Sequence, residues 1–80
     1  MSSDDDIIKR MRRNAVGWRY NELARLLSRG GFRMVGGKGS HRRWKHESGA
    51  VVTLVDVPGA VKAVYVREVV AVIALARKVS

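Results

Sequence analysis

The chain has 80 residues and carries 16 lysines and arginines against 7 aspartates and glutamates, a net charge of +9. This length allows a single domain, 1–80, and the 46% of hydrophobic residues is enough for a compact core. The absence of cysteine excludes disulfides and thiolate zinc sites, and it makes the cytoplasm the expected compartment. No apolar run reaches the roughly 18 residues that span a bilayer, and the acidic N-terminus lacks a signal peptide's apolar core, so we expect no membrane partner.

The charge is distributed unevenly along the chain. Five lysines and arginines and no acid lie between Gly31 and His46, whereas three of the seven acids are Asp4, Asp5 and Asp6. A one-sided positive field attracts polyanions, of which nucleic acid is the commonest. An acidic protein partner would satisfy the same field, so both kinds of partner stay open at this point.

A short amphipathic helix is predicted near the N-terminus. Ser3 or Asp4 can cap it, the acids in its first turn suit the helix dipole, and it ends near Asn14. Its charged side chains form either a solvated face or, alternatively, an extension of the basic surface.

A second helix and three strands follow. The helix runs from about Tyr20 to Arg29, where leucines keep helical spacing before two glycines. The strands are predicted at Phe32–Val35, Ser40–His46 and Val51–Val57, with Gly36–Gly39 as the first turn. Three consecutive strands with short links form an antiparallel meander.

The last element is a helix from about Tyr65 to Lys78, preceded by a loop, Ala60–Val64. The order is helix, helix, strand, strand, strand, helix, which predicts a small two-layer α+β domain with the helices on one face of the sheet. Residues 1–17 are expected to form a helical extension of a core made by residues 18–80.

The segment Gly36–Lys45 combines features that suit chemistry on a phosphodiester. Its glycines permit tight turns and close approach to a ligand. Its side chains include His41, which exchanges protons near neutral pH, and four cations: Lys38, Arg42, Arg43 and Lys45. The alternative is a basic hairpin loop that binds nucleic acid without catalysis.

Neither a metal site nor a covalent nucleophile is expected. On an uninterrupted strand His41 and His46 face opposite sides, so they cannot chelate one ion, and the carboxylates are scattered. Ser40 and His41 point apart, and no acid stands in a recognisable orienting position. We therefore expect no metal and no cofactor.

With a metal site and a covalent nucleophile set aside, acid–base catalysis remains. It requires a substrate that supplies its own nucleophile, and RNA is such a substrate. Its 2′-hydroxyl attacks the neighbouring phosphorus, so the protein needs only to move protons and offset charge. On the second strand His41, Arg43 and Lys45 share one face, while Arg42 shares the other with Trp44 and His46.

The two aromatic side chains on that other face each have two interpretations. Trp44 is expected to anchor the sheet to the helices, or alternatively to stack on bases. His46 is expected to be structural or solvated, or alternatively to contact phosphate.

Six segments carry a resemblance to a known family: Trp18–Leu23, Gly31-Phe32, Lys38-Gly39-Ser40-His41, Trp44, His46 and Val64–Arg67. On these residues, and over roughly Ile8–Ala76, the chain resembles the HicA family of small mRNA-cleaving toxins from toxin–antitoxin pairs. The resemblance implies a double-stranded-RNA-binding-domain-like fold, metal-independent RNA cleavage with His41 as the active histidine, and a HicB-type antitoxin partner. Glu47-Ser48 and the apolar segment Val57–Val61 depart from the family pattern.

The leading hypothesis is an endoribonuclease that acts on mRNA and is inhibited by an antitoxin. His41 is the predicted catalytic residue, and the predicted RNA contacts are Lys38, Gly39, Ser40, Arg42, Arg43 and Lys45. One alternative is a non-catalytic module that grips duplex RNA by its shape. Another is a structural or regulatory protein whose basic face docks an acidic partner.

Overall fold

The elements follow the predicted order over residues 3–79, which the computed structural model describes. They are α1 (Asp4–Arg13), α2 (Tyr20–Arg29), β1 (Phe32–Lys38), β2 (His41–His46), β3 (Val51–Val55) and α3 (Ala63–Val79). The predicted α+β class is confirmed, and the arrangement is consistent with a double-stranded-RNA-binding-domain-like fold. Within these residues no helix is both long enough and apolar enough to cross a membrane.

The sheet is an antiparallel meander in the order β1-β2-β3, with one face covered by the helices. Side chains alternate along β2 and β3, so Trp44, Val52 and Leu54 are buried in the core while Lys45 and Thr53 are exposed. The prediction that Trp44 anchors the sheet is confirmed. Its buried indole N–H has no hydrogen-bond partner among residues 3–79, so packing alone holds the ring.

Helix α1 begins as its sequence predicts. Ser3 Oγ accepts a hydrogen bond from the Asp6 N–H at 3.2 Å, and Ile8 and Met11 are buried in the core shared with the other helices. Asp4 and Asp5 pair with arginines at the C-terminal ends of α2 and α3, at 3.2 and 2.8 Å. Such exposed pairs contribute about 0–1 kcal/mol each, so apolar burial holds α1 in place.

The bounds of α2 are confirmed, whereas α3 begins two residues before its predicted start. The Lys62 carbonyl accepts from the N–H groups of Tyr65 and Val66, at 3.0 and 3.3 Å, so the first turn includes Ala63 and Val64. The predicted loop was wrong at these two residues. Because Val64 is 51% exposed and Ala63 is half-buried, the apolar periodicity that marks the helix starts only after them.

The first hairpin differs from the prediction. Strand β1 does not end at Val35 but continues through Gly36 and Gly37 to Lys38, β2 begins at His41, and only Gly39-Ser40 forms the turn. Gly36 and Gly37 have φ of +155° and +154°, an extended conformation that glycine reaches readily and other residues rarely adopt. A bulge between Met34 and Gly36 shifts the register at this point.

Strand β3 ends at Val55 rather than at Val57. The next residue, Asp56, donates its N–H to the Ser40 carbonyl at 2.7 Å, and the chain then leaves the sheet ahead of Pro58. The segment 56–62 is therefore a loop beside the first hairpin turn.

Candidate functional site

The sheet face opposite the helices, here called the open face, carries the predicted site. Pairing between the strands orders it into three cross-strand rows: Arg33–Lys45–Val51, Gly36–Arg43–Thr53 and Lys38–His41–Val55. His41, Arg43 and Lys45 lie on this face together, as predicted, and all three are exposed. Arg33 belongs to the same surface, although the sequence analysis did not include it in the site.

His41 has an exposed ring on a fixed backbone. Its backbone pairs with Lys38 on one side and with Val55 on the other. Within residues 3–79 neither ring nitrogen has a hydrogen-bond partner, so both are available to a ligand or to water.

A groove of about 210 Å³, here called the His41 groove, lies where the loop 56–62 and the start of α3 meet the hairpin. Its lining residues are His41, Val55, Val57, Val61, Lys62 and Tyr65. Lys62 is exposed and Tyr65 is half-buried, so the groove combines an apolar wall with an imidazole, an ammonium group and a phenol.

Sequence reasoning did not assign Lys62 or Tyr65 to the site. Their presence in the groove depends on how the loop folds back towards β2, which no residue spacing predicts. Tyr65 lies in the segment Val64–Arg67, which resembles the HicA family. That resemblance was the one available signal that Tyr65 belongs to the site.

The hairpin turn beside His41 is braced from the helix side of the sheet. Gly39, with φ of +63°, is the first of the two turn residues, and its carbonyl accepts a hydrogen bond from the Arg42 guanidinium. The same guanidinium lies 3.9 Å from the Asp56 carboxylate, while the Asp56 N–H binds the Ser40 carbonyl. Arg42 therefore lies on the other face of β2 from Arg43 and Lys45, and it fixes the turn that carries Gly39 and Ser40.

Gly37 brings β1 unusually close to the backbone of His41. A Cβ added at Gly37 would overlap the His41 carbonyl oxygen and lie 3.1 Å from the Arg42 Cα. A Cβ added at the neighbouring Gly36, which has nearly the same φ, would meet no atom within 4 Å. The strand pairing that positions His41 therefore requires glycine at residue 37 for space as well as for conformation.

His46 occupies a structural position on the opposite face. It is 8% exposed, and its ring centroid lies 5.1 Å from that of Phe32. Its Nδ1 accepts from the Ser48 N–H at 3.0 Å and lies 2.9 Å from the Ser48 hydroxyl. The structural interpretation of His46 is confirmed.

No cluster of three or more metal-ligating side chains occurs in the described part of the chain.

The positive charge of the open face is not neutralised by carboxylates in the part of the chain that the structure describes. The ion pairs within residues 3–79 join Asp4, Asp5 and Asp56 to arginines outside this face. Lys38, Arg43 and Lys45 have no carboxylate partner in that range. A phosphate backbone crossing the open face would therefore meet unpaired cations.

Comparison with known proteins places this geometry in a family. The family model described as HicA toxin of bacterial toxin-antitoxin matches residues 20–71, which include the whole open face and the His41 groove. No curated protein and no solved structure matches the chain. Helix α1 and the connector to α2 lie outside the matched segment.

Gly37→Ala is expected to destabilise the chain more than Gly36→Ala does. Both substitutions place alanine at a φ near +155°, but only the first makes a side chain overlap backbone atoms. The extra cost is about 1–3 kcal/mol, similar to that of overpacking, and corresponds to roughly 4–8 °C in Tm per kcal/mol for a chain of this size. Thermal unfolding of the two variants measures the difference, and equal Tm values would contradict the proposed close approach.

Proposed function

Because the chain belongs to the HicA toxin family of bacterial toxin–antitoxin systems, whose members are generally mRNA-cleaving ribonucleases, we propose that it is a metal-independent endoribonuclease with His41 as its catalytic residue. One observation carries this proposal: an exposed imidazole that has no hydrogen-bond partner among residues 3–79 lies beside cations unpaired in that range and in one groove with Lys62 and Tyr65. We further propose that it acts on cytoplasmic mRNA and that a cognate HicB-type antitoxin inhibits it.

The proposed reaction is an internal transfer at phosphorus. The 2′-hydroxyl loses its proton and attacks the adjacent phosphorus, the bond from phosphorus to the 5′-oxygen breaks, and that oxygen gains a proton. The products are a 2′,3′-cyclic phosphate and a 5′-hydroxyl end. His41 takes part in proton transfer, which is worth about 10²–10⁴-fold in rate when the group is well placed.

Lys62 and Tyr65 add groups that stabilise the charge on the phosphate, which the imidazole alone does not provide. The Lys62 ammonium offsets the negative charge that develops on the phosphorane, and the Tyr65 phenol donates a hydrogen bond to a phosphate oxygen. Both act from the same groove as His41, so a scissile phosphate seated there contacts all three groups.

The remaining predicted residues bind and orient the RNA. Lys38, Arg43 and Lys45 contact backbone phosphates along the open face, and Gly39 and Ser40 present the turn to the same strand. Arg42 acts chiefly by bracing the turn, because its guanidinium binds the Gly39 carbonyl and lies near Asp56.

His41→Ala is expected to lower RNA cleavage at least 100-fold, the lower range of proton-transfer catalysis. Little change in Tm is expected, because the residue is exposed and its ring makes no hydrogen bond within residues 3–79. The other histidine is the control. His46→Ala removes the Ser48 hydrogen bonds and the Phe32 contact, so Tm falls while cleavage per folded molecule is retained. Cleavage assays with thermal unfolding measure both effects, and growth arrest on expression should be relieved by His41→Ala.

If the His41→Ala protein cleaved RNA as fast as the unsubstituted protein, His41 would not be the catalytic residue. If the unsubstituted chain retained RNA without cutting it, the non-catalytic duplex-binding alternative would replace the proposal. That alternative also predicts an affinity that falls steeply with salt concentration.

A substrate with 2′-deoxyribose at the cleaved position is expected to resist cleavage, because the proposed nucleophile is missing. The matched all-ribose substrate should yield a cyclic phosphate end, and an excess of chelator should leave its cleavage rate unchanged. Chromatography or mass spectrometry of the product ends provides the measurement. Cleavage of the deoxy substrate at the ribose rate, or loss of activity with chelator, would exclude this mechanism.

Lys62→Gln and Tyr65→Phe are each expected to lower kcat by about 10–100-fold with a smaller change in KM. This decrease in kcat is smaller than the ~10²–10³-fold decrease that follows the loss of a preorganised oxyanion donor, because the groove is open to water. Lys78→Gln, at the far end of α3, removes an exposed lysine outside the groove and serves as the control. Parental kcat in both groove variants would remove Lys62 and Tyr65 from the mechanism.

A further inference from the structure

A second and larger groove, of about 410 Å³, lies between the end of α1 and the start of α2. Its lining includes Arg10, Arg13, Asn14, Trp18 and Glu22, and it is here called the arginine groove. The lining extends beyond the segment that matches the family, which begins at residue 20. Neither the proposed catalysis at His41 nor the proposed RNA contacts on the open face involve these side chains.

The arginine groove has an ordered wall. The Trp18 indole N–H donates to the Asn14 carbonyl at 2.8 Å, and Asn14 Oδ1 accepts from the Val16 N–H at 3.0 Å. The guanidinium carbon of Arg10 lies 5.4 Å from the centre of the Trp18 ring. A guanidinium placed against an aromatic ring keeps N–H donors available for a phosphate, and less of its rotamer entropy is lost on binding.

The charges in this groove favour an anionic ligand. Within residues 3–79 neither Arg10 nor Arg13 has a carboxylate partner. Glu22 is the acid in the lining, and its Oε1 already accepts the Arg19 N–H at 2.9 Å as part of the α2 cap.

A backbone hydrogen bond links the arginine groove to the His41 groove. The Trp18 carbonyl accepts a hydrogen bond from the Val61 N–H at 2.7 Å, and Arg19 forms a bridge with Ala60. Trp18 lines the arginine groove and Val61 lines the His41 groove. One hydrogen-bonded pair of residues therefore joins the linings of the two grooves.

We propose that the arginine groove is a second binding site for the RNA backbone, where Arg10 and Arg13 hold phosphates of the same strand whose scissile link lies at His41. This inference rests on the proposed function for its ligand class. It gives α1 a role in substrate binding and lengthens the strand that the toxin contacts beyond the open face.

The test measures binding of single-stranded RNA by fluorescence anisotropy in the full-length His41→Ala background, so that the RNA stays intact. Arg10→Gln with Arg13→Gln should weaken binding about 10-fold, a low value for two lost charge-assisted contacts. The slope of log affinity against log salt should fall by about 1.4, since each phosphate contact to a single strand contributes about 0.7. The control, Lys9→Gln with Arg12→Gln, removes the same charge from the same helix outside the arginine groove.

Arg13→Gln alone keeps the test decisive if the double variant is unstable, because it leaves in place the Arg10 guanidinium that lies over the Trp18 ring. It should weaken binding about 3-fold and lower the salt slope by about 0.7. Unchanged affinity and slope, or an equal loss in the control, would overturn the proposal. So would unchanged RNA binding with weakened binding of the antitoxin, which would assign the groove to a protein partner.

The failure of the proposed function would be seen separately. If the His41→Ala protein cleaved the RNA, the catalytic assignment would be lost, whereas the anisotropy comparison at early times would still decide whether the arginine groove binds RNA.

Discussion

The pairing of β1 with β2 beside the first hairpin turn is the constraint on which the candidate site depends. At Gly37 the two backbones approach so closely that a side chain has no room, and this approach sets the position of the His41 carbonyl and hence of its ring. The turn that follows is held from the other side by Arg42 and Asp56. The imidazole therefore projects from a rigid backbone, although its own ring contacts no hydrogen-bonding partner in the described chain.

The pleat of β2 divides the chemistry of the chain between two faces. Trp44 and His46 point towards the helices and are used for packing, while His41, Arg43 and Lys45 point to solvent. The two histidines thus have different roles because their positions differ by five, an odd offset that places them on opposite faces of the strand. The acids reinforce this division, since Asp4, Asp5 and Asp56 pair with arginines away from the open face.

Much of this arrangement is predictable from the sequence because it depends on local periodicity. The bounds of α2 and the alternation along β2 follow from residue spacing, and the structure confirms them. The sequence also predicts a cap for α1 at Ser3 or Asp4, and the structure places it at Ser3. The extended conformation of Gly36 and Gly37 is not predictable in the same way, because glycine favours turns and bulges equally and only the partner strand decides. Lys62 and Tyr65 join His41 through a contact between distant segments, for which the sequence carries no periodic signal.

The two tryptophans give this toxin a pair of built-in optical reporters. Trp44 is buried with its indole N–H unsatisfied, so its emission is shifted to short wavelength in the folded chain and moves to longer wavelength when the core opens. Trp18 is half-buried against the Arg10 guanidinium, and its emission responds to whatever displaces that cation. Replacing either indole by phenylalanine would isolate the other, so global unfolding and local occupancy are separable by fluorescence without an added dye.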